Sequence, residues 1–146
     1  MQGGEYLVAG LITTVASFSP TTTTITVPKE YAWDFVNNDF LLVDGKFQIV
    51  TGKEALKVWI WKALKTPNSR YAAYSTSYGS NLEDLIGQRY SSALIESEAK
   101  RIVTECITIN KHITGLNNFT VDVTNDILTI SFIALTDQGE VTISGL

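Results

Sequence analysis

With 146 residues, 45% of them hydrophobic and 18% charged, the chain has the size of one domain and can bury roughly 68–70% of the surface its unfolded form exposes. It is too rich in Val, Ile, Leu and aromatics for intrinsic disorder, and its one cysteine, Cys106, excludes an internal disulfide and suits a reducing cytoplasm. The net charge is −4, and the only basic cluster is Lys53, Lys57, Lys62, Lys65 and Arg70, so the electrostatic footprint of a nucleic-acid binder is missing.

Residues 1–30 read as an arm distinct from a domain spanning 31–146. Within it, the apolar stretch Tyr6–Phe18 has no Lys or Arg before it, and at about 13 residues it falls short of the roughly 20 needed to span a bilayer. Neither signal peptide nor membrane anchor is expected. The Ser/Thr run from Ser17 to Thr26, punctuated by Pro20 and Pro28, favours one or two strands or an extended strap docked on a neighbour.

From Tyr31 an aromatic segment leads to Phe40-Leu41-Leu42-Val43, then Asp44-Gly45, then Phe47, Ile49 and Val50. Asp-Gly between two β-rich runs predicts a hairpin near 39–50. Thr51-Gly52-Lys53-Glu54 has the spacing of a capping box. Leu56, Trp59, Ile60, Ala63 and Leu64 then recur every three or four residues, which predicts a helix over about 53–65, stopped by Pro67. A second capping-box spacing, Ser80-Asn81-Leu82-Glu83, opens a short helix closed by Gly87.

A longer helix is expected over about 92–109. Its apolar stripe is Ile95, Ala99, Ile102, Cys106 and Ile109, joined by Val103, with Glu96 and Lys100 paired on the wet side. After Gly115 the period falls to two: Phe119, Val121 and Val123 alternate with polar residues. Asn125-Asp126 turns the chain into Ile127–Leu135, and Asp137-Gln138-Gly139 turns it into Val141-Thr142-Ile143. The expectation is an antiparallel meander whose last strand is an edge.

The inventory of reactive groups is thin. One histidine, His112, and one cysteine cannot build a His/Cys zinc cluster or a pair of imidazoles. Cys106 falls on its helix's apolar stripe and reads as core, and His112 reads as a cap or surface residue after a helix end. Glu83 with Asp84 and Glu96 with Glu98 are the available carboxylate pairs, but adjacent helical residues diverge by about 100°, so no glycosidase-like pair emerges. Asp34, Asn37, Asn38, Asp39 and Asp44 crowd one region without the periodic spacing of a calcium loop, and such residues are ordinary in turns. The tyrosines between Arg70 and Gly79 could stack on sugars or bases, but read first as packing a connection against the helices with their hydroxyls at the rim. No metal or cofactor is expected.

The run Trp59-Ile60-Trp61-Lys62-Ala63-Leu64-Lys65-Thr66-Pro67, then Tyr74-Ser75 and Tyr78-Gly79-Ser80-Asn81-Leu82-Glu83-Asp84-Leu85-Ile86-Gly87, resembles the prophage branch of the contractile-tail baseplate wedge family. Its members are sheath initiators often labelled lysozyme-like. The resemblance continues through Glu98, Arg101 and Asn110-Lys111-His112-Ile113, and covers about residues 31–136. It implies a small α+β domain of two to three helices on an antiparallel sheet, with a C-terminal meander like the handshake domain of sheath subunits.

The function so implied is structural. The family sits beside the tube in the wedge of a phage tail or tailocin and nucleates the sheath, in several copies, among sheath subunits and other wedge or hub proteins; such particles assemble in the bacterial cytoplasm. Many wedge proteins contact the wedge core bundle through a Glu-Pro-Arg triplet, and here Asn110-Lys111-His112 stands in its place, so that role is not carried over. Candidate partner-binding residues are Glu140, Val141, Thr142, Ile143 and Ser144 on the terminal strand, and Asn110, Lys111 and His112. Deleting residues 140–146 is expected to leave a folded domain that cannot assemble. The lysozyme label implies the alternative of peptidoglycan cleavage, which the acids do not support.

Overall fold

Helix α1 (Lys53–Lys65) has the bounds its apolar spacing predicts, and buries Ala55, Leu56, Val58, Ile60, Ala63 and Leu64. It ends at Thr66, which is extended (φ −92°, ψ 119°) because the ring of Pro67 disfavours helical geometry in the preceding residue. The computed structural model describes residues 26–68 and 78–146. Residues 1–25, most of the expected arm, lie outside that range, as do the tyrosine-rich residues 69–77.

Neither expected capping box forms. Thr51 is the last residue of strand β6 (Ile49–Thr51) and pairs with Lys29 of β1 (Lys29–Tyr31). The cap position falls to Gly52, with no side-chain cap hydrogen bond. There φ is +63°, a conformation that glycine adopts without Cβ strain and that turns the strand directly into the helix. Ser80 is likewise diverted: its buried hydroxyl donates to the Leu64 carbonyl (2.7 Å) at the end of α1. A 3-10 turn (Leu82–Leu85) follows from Asn81, again without a side-chain cap.

Helix α2 (Ser92–Ile107) is capped by Ser91, whose Oγ accepts from the Leu94 N–H at 3.3 Å. Its buried face is Ile95, Ala99, Val103, Cys106 and Ile107. The expected stripe is correct except at its end: the helix stops two residues early, Ile109 is exposed, and Ile107 takes the core position. The expected Glu96–Lys100 pair is replaced by Arg101, which binds Glu98 (2.9 Å) and Glu105 (3.0 Å).

Strands β7 (Ile113–Thr124), β8 (Ile127–Thr136) and β9 (Val141–Ile143) form the expected antiparallel meander in the order β7-β8-β9. Asn125 and Asp126 both have positive φ (53° and 61°), the signature of the tight turn whose twist matches paired strands. One face of β8 supplies Ile130, Phe132 and Ala134 to the core. Helix α2 packs on β7 and α1 on β9, so the helices cover one face of the sheet. Phe132, Leu56, Ile60, Ile107 and Ile143 meet there, fully buried.

Before α1 the chain forms a small three-sided clasp. The expected hairpin over 39–50 is confined to β4 (Leu42–Val43) and β5 (Lys46–Phe47) around Asp44-Gly45; β3 (Asp39–Phe40) pairs instead with β2 (Trp33–Asp34), and β6 with β1. The ladders meet at buried Ala32, whose N–H donates to Gln48 O (2.8 Å) and whose carbonyl accepts from the Leu41 N–H (2.9 Å). Residues 29–34 claim the outer halves of the hairpin because Tyr31 and Trp33 pack edge-on against Phe40, adding aromatic contact to the backbone bonds. Lys62 binds Glu30 at 2.7 Å, tying the clasp to α1.

Candidate functional site

The sheet has two outer edges, β7 and β9, and only one is smooth along its named strand. Against β8, strand β7 carries register shifts between Ile113 and Gly115 and between Asn117 and Thr120, and Asn118 has φ +50°. Such bulges bend and twist an edge away from pairing. Strand β9 pairs in unbroken register: Phe132 with Ile143, Ile133 with Thr142, Ala134 with Val141. Beyond it, Ile130 and Leu146 exchange both backbone bonds (3.2 Å each), which makes them a hydrogen-bonded pair; three residue steps from Ile143 to Leu146 face two from Phe132 to Ile130, so a bulge at Ser144-Gly145, where Gly145 has φ +69°, follows β9 directly.

Along β8 the direction of the backbone groups alternates, so those of Ile130, Phe132 and Ala134 point toward β9 and those of Ile133 point toward β7. The partner of Ile133, Thr142, therefore turns its own N–H and C=O away from β8, to the outside. Val141 and Ile143 do the opposite with their side chains, which are 4% and 1% exposed in the core. This argues against the expectation that deleting residues 140–146 leaves a folded domain. Removing two core side chains costs roughly 3–6 kcal/mol, a large part of the 5–15 kcal/mol that holds a typical domain together.

The second candidate cluster, Asn110-Lys111-His112, lies at the corner between α2 and β7. His112 is not a surface or capping residue as the sequence suggests: it is 5% exposed, and its Nδ1 lies 2.7 Å from Asp137 Oδ2. A carboxylate only accepts, so the proton sits on Nδ1. The Asp137 N–H donates to the His112 carbonyl (3.0 Å), and Asn110 Oδ1 accepts from the His112 N–H (3.0 Å). Asp137 opens the turn into β9, so the corner braces the start of the free edge. The His112–Asp137 pairing was not legible, because the partners lie 25 positions apart.

The hydrogen bond from His112 is the main cause holding the Asp137 carboxyl below its ordinary value of 3.8, with burial opposing and Gln138 assisting. A carboxylate depressed in the folded state contributes stability that is present above its unfolded value and lost as pH falls through its folded value. Asp137→Asn should therefore be less stable than the parent near neutrality. The difference between the two, followed by urea unfolding at a series of pH values, should close below 3.8. A constant difference across that range would mean that the charge of Asp137 contributes nothing.

The other reactive groups have local explanations. Asp34 Oδ1 accepts from the backbone of Val36 (2.9 Å) and Asn37 (3.0 Å), and Oδ2 from the Asn37 side chain (2.7 Å). The Asn37 backbone bond first, then its side chain, holds Asp34 below its usual value. It is a turn residue. Cys106 is buried, and burial pushes its thiol up to about 11 against a weaker opposing bond from the Gly79 N–H, which leaves it a core residue and not a nucleophile. Glu83, Asp84 and Glu96 are exposed, and Glu98 is bound to Arg101. Tyr78 packs edge-on against Trp59, ring centroids 6.0 Å apart, as a packing tyrosine would. Among the described residues no helix is long and apolar enough to cross a membrane.

Taken together, two helices on one face of a C-terminal antiparallel meander define a small α+β domain. Residues 29–139 match the family described as contractile injection system sheath initiator, and the chain belongs to that family. Over 93 residues it is 27% identical to the phage-like element PBSX protein XkdS of Bacillus subtilis (strain 168), a match covering 63% of this chain and 66% of that protein. The chain thus spans just under two thirds of the length of that relative.

Proposed function

We propose that this protein is a structural component of the baseplate wedge of a contractile tail, beside the tube, where it initiates the sheath by accepting a strand from a neighbour on the free edge of β9. The observation that carries this reading is Thr142: its outward N–H and C=O lie in the middle of an edge strand whose three pairs are in register, whereas β7 is interrupted twice within its length. Strand addition supplies backbone hydrogen bonds and needs no catalytic group. Family membership supports the partners: sheath subunits first, with other wedge and hub proteins, in several copies per particle. The residues before Pro28 act as a separate arm in such contacts, whereas Lys29 and Glu30 are held in the domain by β6 and Lys62; Asn110, Lys111 and His112 brace or adjoin the same edge, and the domain proper breaks no bonds. Peptidoglycan cleavage is the rival reading, and no side-chain arrangement described above favours it.

Tubes carrying baseplates purified with and without this chain, then supplied with sheath subunits, test the proposal. Sheath growth from the baseplate end should begin promptly only where the chain is present. Equal nucleation without it would overturn the assignment, and lysis of purified cell walls by the intact protein would favour the rival.

A further inference from the structure

One flank of the β9 edge carries chemistry that strand addition by backbone alone does not use. Along α1, Lys53, Lys57, Trp61 and Lys65 follow one another at four-residue spacing and form a single ridge. The ridge runs beside β9. The Lys53 side chain lies against Gly139, before the strand, and Lys57 and Trp61 line a cavity of about 210 Å³ with Ile143, Ser144 and Gly145, at its end. Phe35 and Val36 close the cavity from the clasp. Its lining comes from α1, the clasp and the end of β9, with no β8 residue. Val36 is 92% exposed there.

The cavity is smaller than the roughly 300–1,000 Å³ of small-molecule sites, and fits a side chain. Its walls are aromatic: Phe35 and Trp61 meet edge-on with centroids 5.2 Å apart. Its rim is cationic. Lys57 Nζ stands 5.0 Å from the Phe35 ring and Lys65 Nζ 5.1 Å from the Trp61 ring. Among the described residues Lys53, Lys57 and Lys65 form no ion pair, whereas Lys62 on another face of the helix is committed to Glu30. Lys57 lines the cavity and Lys65 lies over its Trp61 wall, both without a carboxylate partner, and in a chain of net charge −4 this calls for an anionic and apolar occupant.

We propose that this shelf reads the side chains of the strand added to β9, and that the partner strand carries a carboxylate and a large apolar residue two positions apart. This rests on the strand-addition reading and specifies its partner. On a strand, residues two apart share a face about 6.6 Å from one another, close to the roughly 6 Å between successive residues of the α1 ridge, four apart at about 1.5 Å each. The apolar residue enters the cavity beside Trp61 while the carboxylate meets Lys57 or Lys65. Only the face turned toward α1, the face of Val141 and Ile143, is read in this way.

Three nine-residue peptides, acetylated and amidated, with alternating Thr and Val, serve as probes. One carries Leu and Glu two apart at its centre, the second Lys in place of that Glu, the third Ala in place of that Leu. Each is titrated into the full-length protein, following amide hydrogen exchange over residues 140–144 and the indole resonance of Trp61. One exposed charge pair changed from attraction to repulsion amounts to about threefold to tenfold in affinity at low salt, so the Glu peptide should bind at least about threefold more tightly than the Lys peptide. A Lys57→Glu, Lys65→Glu double variant should reverse that order. Exchange slowed equally by all three peptides would overturn the proposal and leave strand addition standing. Exchange slowed by none would overturn both, and a Trp61 response without slowed exchange would likewise overturn the proposal, as it would mean binding without an added strand.

Discussion

Thr142→Pro is expected to leave the domain folded and to abolish its ability to start a sheath. Proline lacks the backbone donor, and sheets tolerate it only where that donor would face solvent at an edge. Thr142 meets that condition, since its side chain is exposed and its partner Ile133 belongs to a pair that does not exchange hydrogen bonds. Stability should fall by about 1 kcal/mol for the altered φ, a small fraction of a typical domain's total. An incoming strand would lose a main-chain bond and meet the pyrrolidine ring, and nucleation should drop by roughly tenfold or more. Thr142→Ala, which keeps the N–H, should nucleate like the parent. The two variants are compared by urea unfolding and by counting sheathed tubes. Parental nucleation by the proline variant would remove β9 from the mechanism.

Gly79→Ala should be among the most damaging single-methyl changes in the described chain. After Tyr78 the backbone crosses the end of α1, with the Ser80 N–H donating to Thr66 O (2.8 Å) and the Asn68 N–H to Ser80 O (3.0 Å). A Cβ at Gly79 would stand 2.6 Å from the Thr66 carbonyl oxygen and 3.1 Å from Asn68 Cα, and φ there is +103°. Unfavourable φ and overpacking against backbone together cost about 2–5 kcal/mol, or on the order of 10 °C in melting temperature. Gly115 provides the control: its φ is not positive and no atom lies within 4 Å of a Cβ there. Gly115→Ala should stay within about 1 kcal/mol of the parent. Equal melting of the two variants would show that the crossing of α1 is not tight. Gly79, within the run Tyr78–Gly87 that carries part of the sequence resemblance, thus has a steric reason to be glycine.

The elements legible from sequence were those whose cause is local. Leu56, Ile60 and Leu64 at helical spacing, with Pro67 beyond, were enough to bound α1. Alternation around Val121 and Ile130 with Asn125-Asp126 between was enough to draw the meander. The misreadings share a different origin. Thr51, Ser80 and His112 each have a side chain or backbone that can be satisfied locally, as a cap, and in the fold each is claimed by a distant segment: Thr51 by Lys29, Ser80 by Leu64, His112 by Asp137. A local cap and a tertiary hydrogen bond are worth similar free energies, so spacing alone does not decide between them.

The candidate site divides along the same line. That residues 141–143 form a terminal strand was written in the chain, as was the basic cluster on α1, read there only as too small for nucleic acid. That Thr142 turns its backbone outward, that Val141 and Ile143 are core, and that Lys57 and Trp61 stand beside Ile143 was decided by the tertiary structure. By itself the sequence determined periods, turns and breaks, because these follow from the sterics of neighbouring residues. Packing decided which hydrogen-bonding groups and charges were left over for a partner, because a group is left over only after every other segment of the chain has taken its place.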